Sequence, residues 1–314
     1  MIGDKAQSIF SFQGASPDYF ANFNLPQLKE YVIADNRRST KEIVDLLNHI
    51  RRDIRQTNIR VDLGTRSHIF VGDLERSFNS SIDLVSGQNI ATLAWDNMTS
   101  NAMKRRLDAD LPTHNLVVEL MNKDSNVDRR RAVVSSLTAV EFAREGRLKE
   151  AIKEMEKNFY SETDIHMKKK RALKSLLSLL AQYDNYRNQP FNNFYLLVRA
   201  NVRREIANLV RGAAHTFYNE YSYGQLAVGV RNGEDYSLNR TIHKAKGDEF
   251  ENVFLILKKE TDLAFLIAPN LNLEQHRIFY VAASRARERL FINVPELSPQ
   301  NENSLTAFFD ITRL

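Results

Sequence analysis

The chain has 314 residues, enough for about two domains, and its 43% hydrophobic and 26% charged residues are a globular balance that excludes disorder. A formal charge of +5 is compatible with a polyanionic partner such as nucleic acid, although many proteins without one share it. The absence of cysteine excludes disulfides, thiolate metal sites and cysteine nucleophiles and fits a reducing cytoplasm, and no apolar run nears the roughly 18 residues of a membrane span.

The first residues, MIGDKAQSIFSF, lack the basic-then-apolar layout of a signal peptide. Met1 to Asp4 have the form of a buried strand end running into a polar loop, so the chain reads as beginning inside a domain. Leu28 to Ile33 (LKEYVI) suits a short strand, and Ser39 or Thr40 then caps a helix whose apolar face is Ile43, Leu46, Leu47 and Ile50. Ser67 to Gly72 and Ile90 to Trp95 are apolar runs between polar turns, expected as buried strands, with a helix from about Ser100 to Leu107. From about Asn115 to Tyr221 the texture is helical, broken at Arg144-Glu145-Gly146-Arg147 and at Asn188-Gln189-Pro190. After Gly233 the alternation returns: a strand at Val253 to Leu257, a helix at Glu274 to Ser284 and a final strand at Leu290 to Val294. An α/β lobe interrupted by a helical block is the expected architecture.

Four segments carry candidate chemistry. In Gly3 to Ala15, the Gln7 amide is suited to orienting a water or a phosphate oxygen, and Phe10 and Phe12 are candidates for base stacking or for the core, with the core favoured for Phe10. In Asn36-Arg37-Arg38-Ser39-Thr40 a guanidinium sits beside a helix N-terminus, a good place to meet a phosphate from a neighbouring lobe; alone, two arginines in a turn are usually solvated. Thr241 to Phe250 (TIHKAKGDEF) combines polar groups, the close approach allowed by Gly247 and an acid suited to a ribose hydroxyl. His243 has no ligand companion at metal-binding spacing. In Glu274 to Glu288, Arg277 and Arg285 stand roughly two turns apart, and Arg285 is placed to project across a cleft, or else is simply a basic helix end.

In order, these segments resemble motifs III, IV, V and VI of the UvrD/Rep/PcrA helicases, whose patterns run close to GDxxQSIYxFRGA, NYRS, THxxKGLEF and YVAxTRA. Ala91 to Asn101 (ATLAWDNMTSN) resembles the stretch between motifs IV and V that often reads AVLYRTNAQS. The resemblance covers about residues 1–105 and 230–295. It implies an α/β, RecA-like (P-loop NTPase-type) parallel-sheet lobe: residues 1–25 as the tail of a first lobe, 26–110 and 225–314 as the second lobe (2A), and 111–224 as a mainly helical insertion (2B-like). It further implies that Gln7 senses the γ-phosphate of ATP and that Arg38 and Arg285 are arginine fingers. Glu249 would contact the ribose and Gly247 the phosphates through its backbone. Phe12 would stack on a base of single-stranded DNA, with Asn97, Thr241 and His243 along the DNA track. Three positions depart from the pattern. Gln13 stands for an Arg, Arg37 for an aromatic that stacks on adenine, where a guanidinium plane still stacks, and Asp248 for a Leu.

No GxxxxGK followed by Ser or Thr occurs in the chain, so the phosphate cradle and the Mg²⁺-holding acidic strand end are expected on an N-terminal RecA-like lobe of the same protein. The resemblance thus implies the C-terminal portion of an ATP-dependent, 3′→5′ DNA helicase acting on single-stranded and partly duplex DNA. It requires ATP and Mg²⁺ in the full-length protein, with neither held tightly by this chain, no metal ligand and no membrane partner. A non-catalytic nucleic-acid-binding or regulatory module of helicase descent is the alternative, and a helical adaptor is a third reading.

Overall fold

Short apolar runs between polar turns become parallel strands in a computed structural model, which describes residues 2–105, 112, 114–230 and 237–314. Its strands are β1 (Asp35–Asn36), β2 (Thr57–Asn58), β3 (Ser67–Val71), β4 (Ile90–Ala94), β5 (Asn239–Thr241), β6 (Phe250–Ile256), β7 (Ala286–Val294) and β8 (Phe309–Arg313). β1 and β2 pair with each other, and the other six form one sheet in the order β5-β4-β6-β7-β3-β8. Every pairing in it is parallel. Parallel sheets are covered on both faces, which is why all five residues of β4 are buried and why these strands read as continuous apolar runs. The helices Lys41–Ile50, Leu74–Leu84 and Glu274–Ala283 pack against β7. Ile43, Leu47, Ile69, Leu93, Leu255, Ile278 and Ile292 belong to the resulting core.

The chain divides into two compact units, Met1–Asp96 with Glu234–Leu314, and Asn97–Gly233. The first is the α/β sheet unit, interrupted in sequence by the second, which is helical. In the helical unit the helices Leu116–Lys123, Val127–Arg144 and Ile165–Leu180 start at side-chain caps from Asn115, Asn126 and Asp164. The turn after Arg144 uses Gly146 at φ +79°, a conformation that favours glycine. Its core, which includes Leu137, Val140, Leu176, Phe194 and Tyr223, also buries charge: Arg129 pairs with Asp124 at 2.6 Å, and Tyr218 donates to the same carboxylate.

Several expectations need correction. Residues 28–33 are not a strand; Tyr31 and Ile33 are each 85% exposed, because among the described residues nothing pairs with this segment. Pairing begins only at Asp35. Residues 2–4 are not a strand end either: Ile2 is 99% exposed, and Met1 lies outside the described residues. The strand at Leu290 to Val294 is not the last, since β8 adds an edge beside β3. The helix expected from Ser100 starts at Asn97 and is described to Arg105; its expected end at Leu107, Gly233 and the boundary expected at 110/111 lie outside the described residues. The boundary expected at 224/225 falls inside the helix Tyr223–Ala227, which packs within the helical unit.

Candidate functional site

Two clusters form on the sheet unit, at opposite ends of its strands. At the amino ends of β6 and β7, Asn36 closes a turn by accepting from the backbone N–H of Arg38 and Ser39 at 2.9 and 3.0 Å. Ser39 Oγ donates to the carbonyl of Ala286 at 2.7 Å, and Thr40 N–H donates to that of Arg287, so the turn is fastened to the start of β7. Arg60 adds a third tie, donating to the Arg38 carbonyl and pairing with Glu288 at 2.8 Å. These ties bring Arg38 beside Arg285, which follows the Ser284 cap of the helix Glu274–Ala283 and leads into β7.

Arg38 Nη1 donates to the carbonyl of Ser284 at 3.1 Å, and its Nε lies 2.7 Å from Glu249. That second contact is an ion pair by distance without hydrogen-bond alignment. Arg285 is only 2% exposed, and its donors go to the carbonyls of Val281 and Asp248 and to Ser284 Oγ. Burial and the neighbouring Arg38 charge pull the Arg285 pKa down to about 10, so it remains a cation at neutral pH. Gly247 has φ +99° and open space where a Cβ would stand. Asp248 is clamped by Arg240, whose side chain is 7% exposed and whose guanidinium lies 5.2 Å from the Phe250 ring centre. The departure from Leu at position 248 thus has a structural counterpart in a buried arginine. Arg37 is exposed and lies 3.9 Å from Asp35.

At the carboxyl ends of β4 and β5 the side chains are aromatic. Ala94 pairs with Thr241, and Ile242 N–H donates to the Ala94 carbonyl, so Trp95 and His243 leave adjacent strands at one level. The His243 ring lies 5.7 Å from Phe10, 5.6 Å from Phe12 and 6.4 Å from Trp95. Phe12 is 69% exposed, whereas Phe10 packs against the core as favoured. Burial lowers the His243 pKa, which keeps the imidazole neutral. Thr241 is buried rather than facing solvent, its hydroxyl accepting from Lys244 N–H at 3.4 Å. Asn97 is exposed but belongs to the helical unit. Gln13 is exposed.

The N-terminal segment is docked on this same unit. Arg277 donates to the Ser8 carbonyl at 2.7 Å, and Glu274 accepts from Ser11, bonds that lower its pKa. Gln7 is bonded to Asp4 at 3.0 Å, not to the arginine cluster directly. Separate polar contacts lie on the way to it: Asp4 pairs with Arg51 at 2.8 Å, while Gln56 donates to Tyr280 at 3.2 Å and Asn36 donates to Gln56 at 2.7 Å. Burial opposes the Arg51 charge, but the partner carboxylates Asp53 and Asp4 prevail and raise its pKa.

With this geometry in view, residues 121–296 match the family described as the UvrD-like helicase C-terminal domain. The chain belongs to that family. The match takes in most of the helical unit and both later motif segments, Thr241 to Phe250 and Glu274 to Ala286. The chain is also similar to a protein of Mycoplasma genitalium named "Probable DNA helicase II homolog", at 24% identity across 93% of this chain and 50% of that protein. It therefore spans about half the length of the curated relative it matches. Among the described residues no helix is long and apolar enough to cross a membrane.

Sequence reasoning missed Arg60, Arg51, Arg240 and Trp95. Arg60 and Arg51 act through partners far away in the chain, Arg240 through a carboxylate eight residues on, and only Trp95 left a signal in the sequence, an indole directly after a buried strand.

Proposed function

We propose that this chain is the C-terminal portion of an ATP-dependent, 3′→5′ DNA helicase. Arg38 and Arg285 serve the γ-phosphate of ATP held on an N-terminal RecA-like lobe, with Glu249 near the ribose, the Gly247 backbone near the phosphates and Gln7 sensing the γ-phosphate. The observation that carries the reading is the helix Glu274–Ala283, which joins the two clusters. Its first residue, Glu274, binds Ser11 beside the aromatic rings, and its end leads through Ser284 into Arg285. A ten-residue helix is a rigid element about 15 Å long, so a strand moving over the rings and a phosphate pulling on the arginines act on one body.

In hydrolysis, water attacks the γ-phosphorus as its bond to the ADP oxygen breaks, and the two guanidinium groups stabilise the charge that spreads over the transferring oxygens. Arg285 reaches that charge only by exchanging its present acceptors for phosphate oxygens. Among the described residues no three acidic or imidazole side chains converge on a metal site. No residue of this chain is assigned to Mg²⁺, which would be held by the N-terminal lobe and would neutralise phosphate charge there. The aromatic edge, with Phe12 and His243, takes part of the single-stranded track, Thr241 being buried beneath it.

The chain by itself should hydrolyse no ATP above buffer background, with or without DNA. It should bind a labelled single-stranded oligonucleotide weakly in fluorescence anisotropy, with affinity that fades as salt rises and no sequence preference. Tight, salt-insensitive or sequence-specific binding, or ATP turnover that survives loss of Arg285, contradicts the proposal.

A further inference from the structure

Trp95 is the only tryptophan in the chain. It directly follows β4, at the carboxyl edge where open parallel sheets present their ligand crevice. Trp95 covers part of its large apolar surface and leaves 39% exposed to solvent. It rests on the buried ring of Phe279, with centroids 5.4 Å apart, and meets His243 nearly at right angles. Phe12 meets the same imidazole in the same edge-on manner. The strand pairing fixes this arrangement, because Trp95 and His243 are carried by neighbouring strands in register. The helicase pattern AVLYRTNAQS has an Arg at the position that Trp95 occupies, so this chain carries a ring where the pattern carries a charge.

We propose that Trp95 is a second base-stacking surface beside Phe12, taking an unpaired nucleobase of a single strand. The inference rests on the reading of this edge as part of the DNA track. It adds a contact by stacking, which is tolerant of sequence and, unlike a phosphate contact, carries no counterion release. A free nucleotide offers the same ring chemistry, so the ligand's source has to be separated by experiment.

Because Trp95 is the sole tryptophan, its emission reports directly on its own contact. Titrating the chain with oligodeoxythymidylate should quench that emission along the same curve as anisotropy. An abasic oligonucleotide of equal length should leave the emission unchanged, and free thymidine triphosphate at the same base concentration should do so too. Trp95→Ala should weaken oligonucleotide binding about tenfold, about 1.4 kcal/mol, by a factor that is the same at low and moderate salt. Trp95→Phe should restore most of the loss. Saturable binding with unchanged emission overturns the proposal and leaves the DNA-track reading standing, and so does a folded Trp95→Ala variant that binds as the wild type does. Quenching by the free triphosphate at the oligonucleotide's concentration overturns the single-strand assignment. No binding of any oligonucleotide overturns both the proposal and the reading beneath it.

Discussion

The two ends of the parallel sheet solve opposite problems. At the amino ends of β6 and β7, two arginines are held close together, Arg285 bonded to Val281, Asp248 and Ser284 and shut away from solvent, and Arg38 held by the Ser284 carbonyl and Glu249. At the carboxyl ends of β4 and β5, Phe12 and Trp95 are open and need no rearrangement to receive a flat ligand. On the proposed reading the ionic end would work by exchanging partners, while the aromatic end is already open, and a motor that spends ATP only when bound to its track would need such an asymmetry.

The largest effect should come from separating the ends by substitution. In a longer protein that carries the proposed N-terminal lobe, Arg285→Ala should lower ATP turnover by about 10³-fold or more, while single-strand affinity stays the same. Phe12→Ala should do the reverse to binding, weakening it by ~1–3 kcal/mol. Paired measurements of turnover and anisotropy decide the matter. If Arg285→Ala weakens DNA binding as much as Phe12→Ala does, the two ends are not distinct sites.

A smaller effect tests what holds the ionic end closed. Asp248→Leu restores the residue of the helicase pattern but leaves the Arg240 guanidinium buried without its carboxylate. The expected destabilisation is ~1–2 kcal/mol, below the usual value for a broken buried pair because Asp248 is half exposed. Turnover should also fall, about tenfold by the same reasoning, because the Asp248 carbonyl that holds Arg285 loses its anchor. Denaturant melting measures the first and steady-state hydrolysis the second. A variant as stable as the parent would mean that the ion pair contributes nothing.

The same contrast explains what the sequence disclosed. β3, β4, β6 and β7 were legible because buried parallel strands must be continuously apolar, and the helix Glu274–Ala283 because its start and end fall within one recognisable segment. LKEYVI was misread as a strand because a strand exists only with a partner, which local pattern cannot supply. β8 was missed because Phe309–Arg313 is a half-buried edge without an apolar run. The helix Leu74–Leu84 was missed because it is rich in serine and polar overall. At the candidate site, residue types pointed to Arg38 and Arg285 but not to their closed state. That state depends on Asp248, Glu249 and Ser284, groups whose approach is set by the sheet.

The smallest expected effect uses pH, to which the two ends should respond differently. Arginine is the basic group of the ionic cluster, and the about-10 pKa of Arg285 leaves it charged throughout pH 5–8. The aromatic end holds His243, whose pKa is lowered by burial. His68 and His276, elsewhere in the same unit, are lowered for the same reason, and His276 Nδ1 accepts from Asn270 N–H, which requires an unprotonated nitrogen there. Each of the three has its ordinary value near 6.5 in the unfolded chain and a lower one when folded, so the unfolded state binds protons first as pH falls. Stability is accordingly level above about pH 6.5 and declines as pH drops from there through the folded values. The carboxylates of Asp53 and Glu274, lowered by their partners, add a second decline below the usual carboxylate range. The thermal midpoint should therefore be lower at pH 5.5 than at pH 7.5, and a His243→Asn variant should show a smaller drop, since His68 and His276 still contribute. A midpoint that stays level or rises toward pH 5.5 would show that these imidazoles are not held neutral by the fold, and with that the description of the aromatic end as a neutral, preformed surface would fail.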